Sequence, residues 1–354
     1  MLMHDIGEKL FLSSMLPLLK KSGCFLNDFG NDASVVDIGL PDIAIAFKID
    51  RAAKPIAAYK GWTDFQMWGR LAVTANLSDI LAVGATPSAF MLSITVPGCW
   101  KSSDVKAIIA GAEIACKEKG VAFVGGDTKE GGEANVVGAA FGTIKKDSII
   151  SRRKAEEGDT VILAGKLGGF SSAYLLRSKM GIENREILQS LSLPTCAWDE
   201  ARYLFSTGKV TAAVDLSDGI SEGLSLLSKD GLAPLIDIDS LPLHQLAIRA
   251  SNELLINKSN FAFTVGDWGI LFSMPKNDAE SAIKSMPPGL VLTKIGTIVK
   301  ADTPIYRSFL TGTNYELSVD LKNEHFRKTM EKEEGYFSDL NEFTFLKKKQ
   351  QPPL

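Results

Sequence analysis

Asn76-Leu77-Ser78-Asp79-Ile80-Leu81-Ala82-Val83-Gly84-Ala85-Thr86-Pro87 is the stretch on which the fold turns. It closes a run from Thr63 to Val83 whose apolar positions, Met67, Leu71, Val73, Ala75 and Leu81, predict a helix. Gly84 supplies the stop and Pro87 lies just beyond it. Asn, Ser and Asp compete with the backbone for hydrogen bonds and are weak helix formers. Three of them inside an Ala-, Leu- and Val-rich helix call for a partner. Either they form a satisfied buried polar cluster or they face a ligand.

Asp79 is one of five aspartates that stand at or just after an apolar segment beside Gly, Ser, Thr or Asn. The others are Asp32 in Gly30-Asn31-Asp32-Ala33, Asp50 after Ala46-Phe47-Lys48-Ile49, Asp127 in Gly125-Gly126-Asp127-Thr128, and Asp218 in Leu216-Ser217-Asp218-Gly219. Magnesium takes hard oxygen ligands and leaves some positions to water and phosphate. Scattered carboxylates without His or Cys neighbours fit nucleotide-bound magnesium better than zinc or iron. The pattern therefore predicts Mg2+ and ATP chemistry.

The helix at 63–83 sits in a first half that reads as alternating strands and helices. Ile6 to Leu19 has helical spacing interrupted by Pro17. Ala33 to Ile38 and Ile43 to Ile49 read as strands joined by a turn at Gly39-Leu40-Pro41-Asp42. Phe90 to Val96 is a strand. Ser103 to Lys119 is a helix capped by Ser102 or Ser103 and stopped by Gly120. Val121 to Val124 is a strand entering a Gly-Gly-Asp-Thr turn, and Asn135 to Ile144 is another strand. Polar Ser151 to Asp159 closes this β-α-β-β-α-β half. The expected division is 1–150, 151–320 and a charged extension over 321–354.

The second half starts with Thr160 to Ala164 as a strand, a Gly165 to Gly169 loop, and helical material from Ser171 to Ser206. Val210 to Leu216, Ala233 to Ile238, Phe261 to Thr264, Ile270 to Ser273 and Val291 to Ile298 read as strands. Gly219 to Ser228 and Asn277 to Ser285 read as helices. The fold class is α/β (α+β).

Each motif has a chemical and a plainer reading. Two glycines ending a strand let backbone N–H groups approach phosphate oxygens, with Asp127 holding the bridging metal; an Asp-capped turn would look the same. Ser217 or Asp218 caps a helix whether or not it binds metal. Arg152 and Arg153 suit bidentate phosphate contact or a solvated linker. Lys48, Arg51 and Lys54 line an anionic pocket around Asp50 or a surface face. Lys347-Lys348-Lys349 reads as a solvated tail.

Absences narrow the field. Ala164-Gly165-Lys166-Leu167 resembles the end of a P-loop, but Thr160 stands where its first glycine belongs and Leu167 replaces Ser/Thr. No G-x-G-x-x-G follows a strand. His4, His244 and His325 lie outside every motif, which argues against histidine-based nucleophilic or zinc chemistry. Cys24, Cys99, Cys116 and Cys196 are too scattered for a zinc or disulfide framework. A net charge of -3 with 23% charged residues predicts no nucleic-acid or membrane surface. The Leu10 to Leu19 patch lacks the flanks of a signal peptide, so a cytoplasmic protein is expected.

Taken in order, the segments resemble the AIR synthase-like ATP-binding superfamily, and within it the thiamine-monophosphate kinase family. Gly30 to Ala33 is similar to G-D-D-A, and Asn76 to Pro87 to N-L-S-D-L-A-A-M-G-A-x-P. Gly125 to Thr128 is similar to G-G-D-T, Arg152 to Asp159 to R-x-G-A-x-x-G-D, and Leu216 to Gly219 to L-S-D-G. Val265 to Leu271 partly keeps G-G-x-D-Y-E-L. The resemblance covers about residues 25 to 300 of the sequence.

It implies two AIR synthase-like domains, a homodimer in which the N-terminal halves close a β-barrel, and ATP near the subunit interface. Asp32, Asp50, Asp79, Asp127 and Asp218 would hold magnesium. Gly125, Gly126, Thr128, Asn76, Ser217 and Lys48 would line the nucleotide site. Asp127, Arg152 and Asp218 would act on the phosphates. The implied reaction is phosphoryl transfer from ATP to a small-molecule acceptor; an ATP-dependent ligase or cyclase and a non-catalytic nucleotide-binding regulator are the other readings. Asn31 in place of an acid implies the loss of one metal-binding charge, and the missing His-Phe after Asp50 and Trp268-Gly269 in place of Tyr-Glu predict an altered acceptor.

Overall fold

The computed structural model describes residues 2–317 and 345–349. The first half runs α1 (Met3–Met15), β1 (Ser34–Asp37), β2 (Ile43–Arg51), α2 (Ile56–Tyr59), α3 (Gln66–Ala82), β3 (Thr86–Val96), α4 (Ser102–Lys119), β4 (Ala122–Glu130) and β5 (Asn135–Lys145). Its sheet has the order β1-β2-β5-β3-β4, antiparallel except for the β3–β4 pair. The order of elements is thus not β-α-β-β-α-β: β1 and β2 form a hairpin before the first long helix, and β4 and β5 follow the last one. The predicted helix over 6–19 ends at Met15, and a 3-10 turn carries Pro17.

The second half runs β6 (Thr160–Ala164), α5 (Gly169–Met180), α6 (Arg185–Ser192), α7 (Trp198–Ser206), β7 (Ala212–Asp215), α8 (Ile220–Leu227) and β8 (Leu232–Asp237). Then come α9 (Gln245–Leu254), α10 (Lys258–Ala262), β9 (Ile270–Met274), α11 (Lys276–Ser285), β10 (Leu292–Lys300), β11 (Ile305–Arg307), β12 (Asn314–Leu317) and β13 (Leu346–Lys348). These strands form a second sheet of order β13-β12-β11-β8-β10-β6-β9-β7.

Four local expectations are corrected. Phe261 to Thr264 is not a strand: α10 ends there, started by Asn257, whose side chain accepts from the Ser259 N–H. A short apolar run has no periodicity to separate the two states. Gly125 to Thr128 is not a turn but lies within β4. Gly125 takes φ +114 at a bulge there, and a Cβ at Gly126 would lie 1.7 Å from the Leu92 carbonyl oxygen. Ser102 and Ser103 lie inside α4, whose N-cap position is Lys101. Lys347 and Lys348 are in β13, opposite Glu316 and Tyr315, with Leu346 buried beside them. The rest of the 321–354 extension, His325 included, lies outside the described residues.

The helix α3 explains the architecture. Fifteen of its residues are buried, from Met67 to Ala82 with Arg70 as the exception. It is enclosed by α4, by the first sheet, and by β7 and α7 of the second half. A helix buried all round needs apolar residues on every face, which its composition supplies. Contact with α4 is close enough to require glycine: a Cβ at Gly69 would lie 1.9 Å from the Ile108 carbonyl oxygen, and one at Gly111 2.0 Å from that of Gln66. We therefore expect Gly111→Ala to lower the unfolding free energy by about 3 kcal/mol or more. Chemical denaturation reads this, and an unchanged midpoint would mean the two helices can part without cost.

Candidate metal and phosphate site

Three carboxylates converge where the two halves meet. Asp32 comes from the loop before β1, Asp79 from the last turn of α3, and Asp215 from the end of β7. Their ligand oxygens lie within 4.8 Å of one another and all three residues are buried. Oxygens on opposite sides of one magnesium ion stand about 4 Å apart, so the group is within a small adjustment of holding an ion. The Asp32 loop is shaped by buried Asn27, whose side chain donates to the Ala33 carbonyl at 2.8 Å and accepts from the Val35 N–H at 2.8 Å.

Lys48 and Asp50 sit two residues apart on β2 and so share a face of the strand. Lys48 Nζ is 2.9 Å from Asp79 and 3.8 Å from Asp50. Arg152 Nη1 approaches Asp32 at 3.6 Å. Gly30, at φ +83, lies under the Arg152 and Arg153 guanidiniums. Asn31 is not turned to the carboxylates: it accepts from Ser151 Oγ at 2.9 Å and donates to the Asp28 carbonyl at 2.9 Å. This clasp joins the Asp32 loop to the Arg152 segment. A cavity of about 460 Å³ opens beside Asp32 and Lys48, walled by Asn31, Phe47, Ile49 and Phe141.

Burial at this density perturbs every charge. Desolvation raises the pKa of Asp32 against the opposing pull of Arg152 and Lys48. Desolvation, then repulsion from Asp215, lifts Asp79 well above the carboxylate range. Asp215 is pushed up to about 7 by burial first and by Asp32 next, with Asp218 and Asp50 adding smaller repulsions. Burial opposes the charge on Lys48, but Asp79 and then Asp50 outweigh it and its pKa is raised.

Several buried polar atoms here have no protein partner: Asp215 Oδ2, Asn76 Oδ1, Ser78 Oγ and Arg152 Nε. Asn76 spends its amide on the Ala72 carbonyl at 2.9 Å and the Asp50 carbonyl at 3.4 Å. The polar triplet in α3 is thus only partly satisfied from within. An orphaned buried polar group costs about 1–3 kcal/mol, so a cation or ordered solvent belongs beside these oxygens. The donor set is all hard oxygen, which suits magnesium and not a soft metal.

Of the expected residues, Asp32, Asp79, Lys48, Asp50, Asn76 and Arg152 come together. Half-buried Asp218 joins them by its charge on Asp215. Ser217 donates to Asp215 at 3.4 Å. Gly125, Gly126, Asp127 and Thr128 do not join: all four are exposed on β4, an edge strand of the described sheet. Asp127 pairs with Ser93. The register runs Asp50, Gly138, Leu92, Gly126 across the sheet, so Asp127 stands three strands from Asp50, about 14 Å. Arg51 reaches Asn135 instead, and Lys54 lines a separate cavity with Tyr59 and Trp100. Asp215 was missed. Its signal is a carboxylate ending the apolar strand Ala212-Ala213-Val214, three residues before Asp218.

Residues 30–144 match the family model described as AIR synthase related protein, N-terminal domain, and residues 156–308 match the C-terminal domain of the same description. The chain is 30% identical over 212 residues to a thiamine-monophosphate kinase of Pyrococcus horikoshii, covering 59% of this chain and 66% of that one. It is thus aligned with about two thirds of that relative. A thiamine-monophosphate kinase of Halobacterium salinarum is 28% identical over 275 residues, 77% of this chain and 88% of the relative. The solved structure "AaThiL complexed with AMPPCP and TMP" superposes with a TM-score of 0.74 at 21% identity, over 86% of this chain and 95% of that chain, so the fold is shared. With both domain models matched in order across most of its length, the chain belongs to the AIR synthase related protein family.

Proposed function

We propose that this protein is a magnesium-dependent kinase of the thiamine-monophosphate kinase type, passing the γ-phosphate of ATP to a small-molecule acceptor. The observation that carries the reading is the buried Asp32–Asp79–Asp215 group at the seam of the two halves, with oxygens left unpartnered. The names of the relatives and the AMPPCP of the superposed structure agree with it. Residues 1–150 form the metal- and nucleotide-binding domain and 151–320 its partner domain. No described helix is long and apolar enough to cross a membrane.

Phosphoryl transfer needs positioning and charge neutralisation more than a strong base. Asp32, Asp79 and Asp215 would hold magnesium, with Asp50 and Asp218 alongside. Bound magnesium would neutralise charge on the transferring phosphoryl group and its neighbours. Arg152, clasped through Ser151 and Asn31, holds a guanidinium beside Asp32 for a phosphate oxygen. Asp127, Gly125, Gly126 and Thr128 serve a different stretch of nucleotide or another ion, since one ion cannot span the three strand spacings to Asp50.

A homodimer fits the open face of the first sheet, where Ile49, Met91 and Val124 are 71%, 38% and 54% exposed. The acceptor differs from thiamine monophosphate. Trp268 is held at φ +48, and the Asp267 carboxylate is consumed by the N–H groups of Gly168, Gly169 and Phe170 at the start of α5.

Asp79→Asn should cut ATP turnover at least about 100-fold, measured on protein whose circular dichroism shows it folded. Turnover close to wild type would sink the assignment. A phosphorylated acceptor, not free phosphate with a new C–N bond, is the expected product by mass spectrometry.

The metal-free protein should also report on Asp215. Its pKa rises from 3.8 to about 7 on folding, so its contribution to stability is full below pH 4 and is lost as pH rises towards 7. Magnesium needs the ionised form, so binding should tighten as pH rises through this window and release protons. Calorimetry at pH 6 in two buffers of different ionisation enthalpy reads that release; identical heats would contradict it.

A further inference from the structure

We infer that Lys48 is a resident cation of the carboxylate nest: its ammonium fills the position between Asp50 and Asp79 that a second divalent ion would otherwise take. This rests on the divalent-ion reading above. The nest has two edges. On one, Asp32, Asp79 and Asp215 lie within an ion's span of each other and Asp215 Oδ2 has no partner, so that edge is open. On the other, Asp79 and Asp50 both face Lys48 Nζ, at 2.9 and 3.8 Å. The Lys48 side chain is only 23% exposed. An ion bridging Asp50 and Asp79 would have to stand where that nitrogen is.

The residue type suits the task. An ammonium is a compact point charge with three donors and can sit among carboxylate oxygens as a metal ion does. Arg152 is engaged elsewhere: its planar fork meets Asp32, at 3.6 Å. Charge points the same way. Asp32, Asp50, Asp79, Asp215 and neighbouring Asp218 bring five negative charges when ionised, and Lys48 with Arg152 brings two positive. Removing Lys48 raises the negative excess from three to four and so strengthens the nest's demand for divalent charge.

The test is Mn2+ binding to the full chain without nucleotide, followed by the electron paramagnetic resonance signal of free Mn2+. Wild type, Lys48→Met, Lys48→Gln and Lys48→Arg are compared. Lys48→Met and Lys48→Gln should each bind one more equivalent than wild type, or bind Mn2+ at least about ten-fold tighter, since a neighbouring like charge is gone. Their unfolding midpoints should fall in chelator and recover with Mn2+ by more than the wild-type shift. Lys48→Arg should keep the wild-type stoichiometry.

Equal stoichiometry and affinity across all four proteins would overturn the role of Lys48 while leaving the divalent-ion reading intact. Mn2+ bound by the neutral variants alone would support it. No Mn2+ on any of them, with or without a non-hydrolysable ATP analogue, would overturn both. If one neutral variant fails to fold in chelator yet folds with Mn2+, that dependence is itself the expected result; failure of both neutral variants in either condition overturns it.

Discussion

Mutual repulsion among buried carboxylates is the constraint around which the rest is arranged. Asp32, Asp79 and Asp215 are each less than a tenth exposed, and like charges this close cannot all ionise without a cation. Three different parts of the chain deliver them: a loop, a helix end and a strand end from the other half. Folding therefore forces the charges together only when the two halves dock. The seam is held by the all-round burial of α3 and by α2, whose Ala57 and Ala58 pack into the hydrophobic core of the second half. Apolar packing supplies the force that crowds the acids, and the acids in turn leave the seam with buried oxygens that have no protein partner.

The surroundings of the site follow from that crowding. Lys48 and Arg152 stand on different sides of the nest, one on Asp50 and Asp79 and the other on Asp32. Asn31 shows the same economy. An acid here would add a further charge beside Asp32, whereas the amide both accepts from Ser151 and donates to the Asp28 carbonyl. A carboxylate can only accept. Asn31 therefore supplies a tie that fixes the Arg152 segment where an acid would supply one more charge.

Much of this was legible in the sequence, for a physical reason. Asn76, Ser78 and Asp79 contradict both the helix propensity and the apolarity of their surroundings, and such local conflicts concentrate at functional sites. Asp32, Asp50 and Asp218 carried the same mark. Asp215 did not, because an aspartate closing a strand looks like an ordinary strand end until the partner domain is in place. The Gly125-Gly126 pair reads as a turn yet lies within β4. Its glycines answer to a bulge and to the close approach of the Leu92 carbonyl, needs that a linear reading cannot separate from those of a turn. Phe261 to Thr264 failed because three apolar residues and a threonine lack a period, and the deciding cap, Asn257, lies before them.

The position of Asp127 carries the last step. Within one chain it is three strands from Asp50 and exposed to solvent, on a sheet whose open face presents Ile49, Met91 and Val124. A lone subunit would leave an apolar patch in water beside a glycine-framed carboxylate with no cation partner among the described ion pairs. Covering that face with a second copy removes the patch from water and lowers the dielectric around β4, which strengthens any ion or phosphate contact made there. In the dimer proposed above, the buried nest at the domain seam and the strand at the sheet edge would be two parts of one nucleotide site, the first assembled by folding and the second by association.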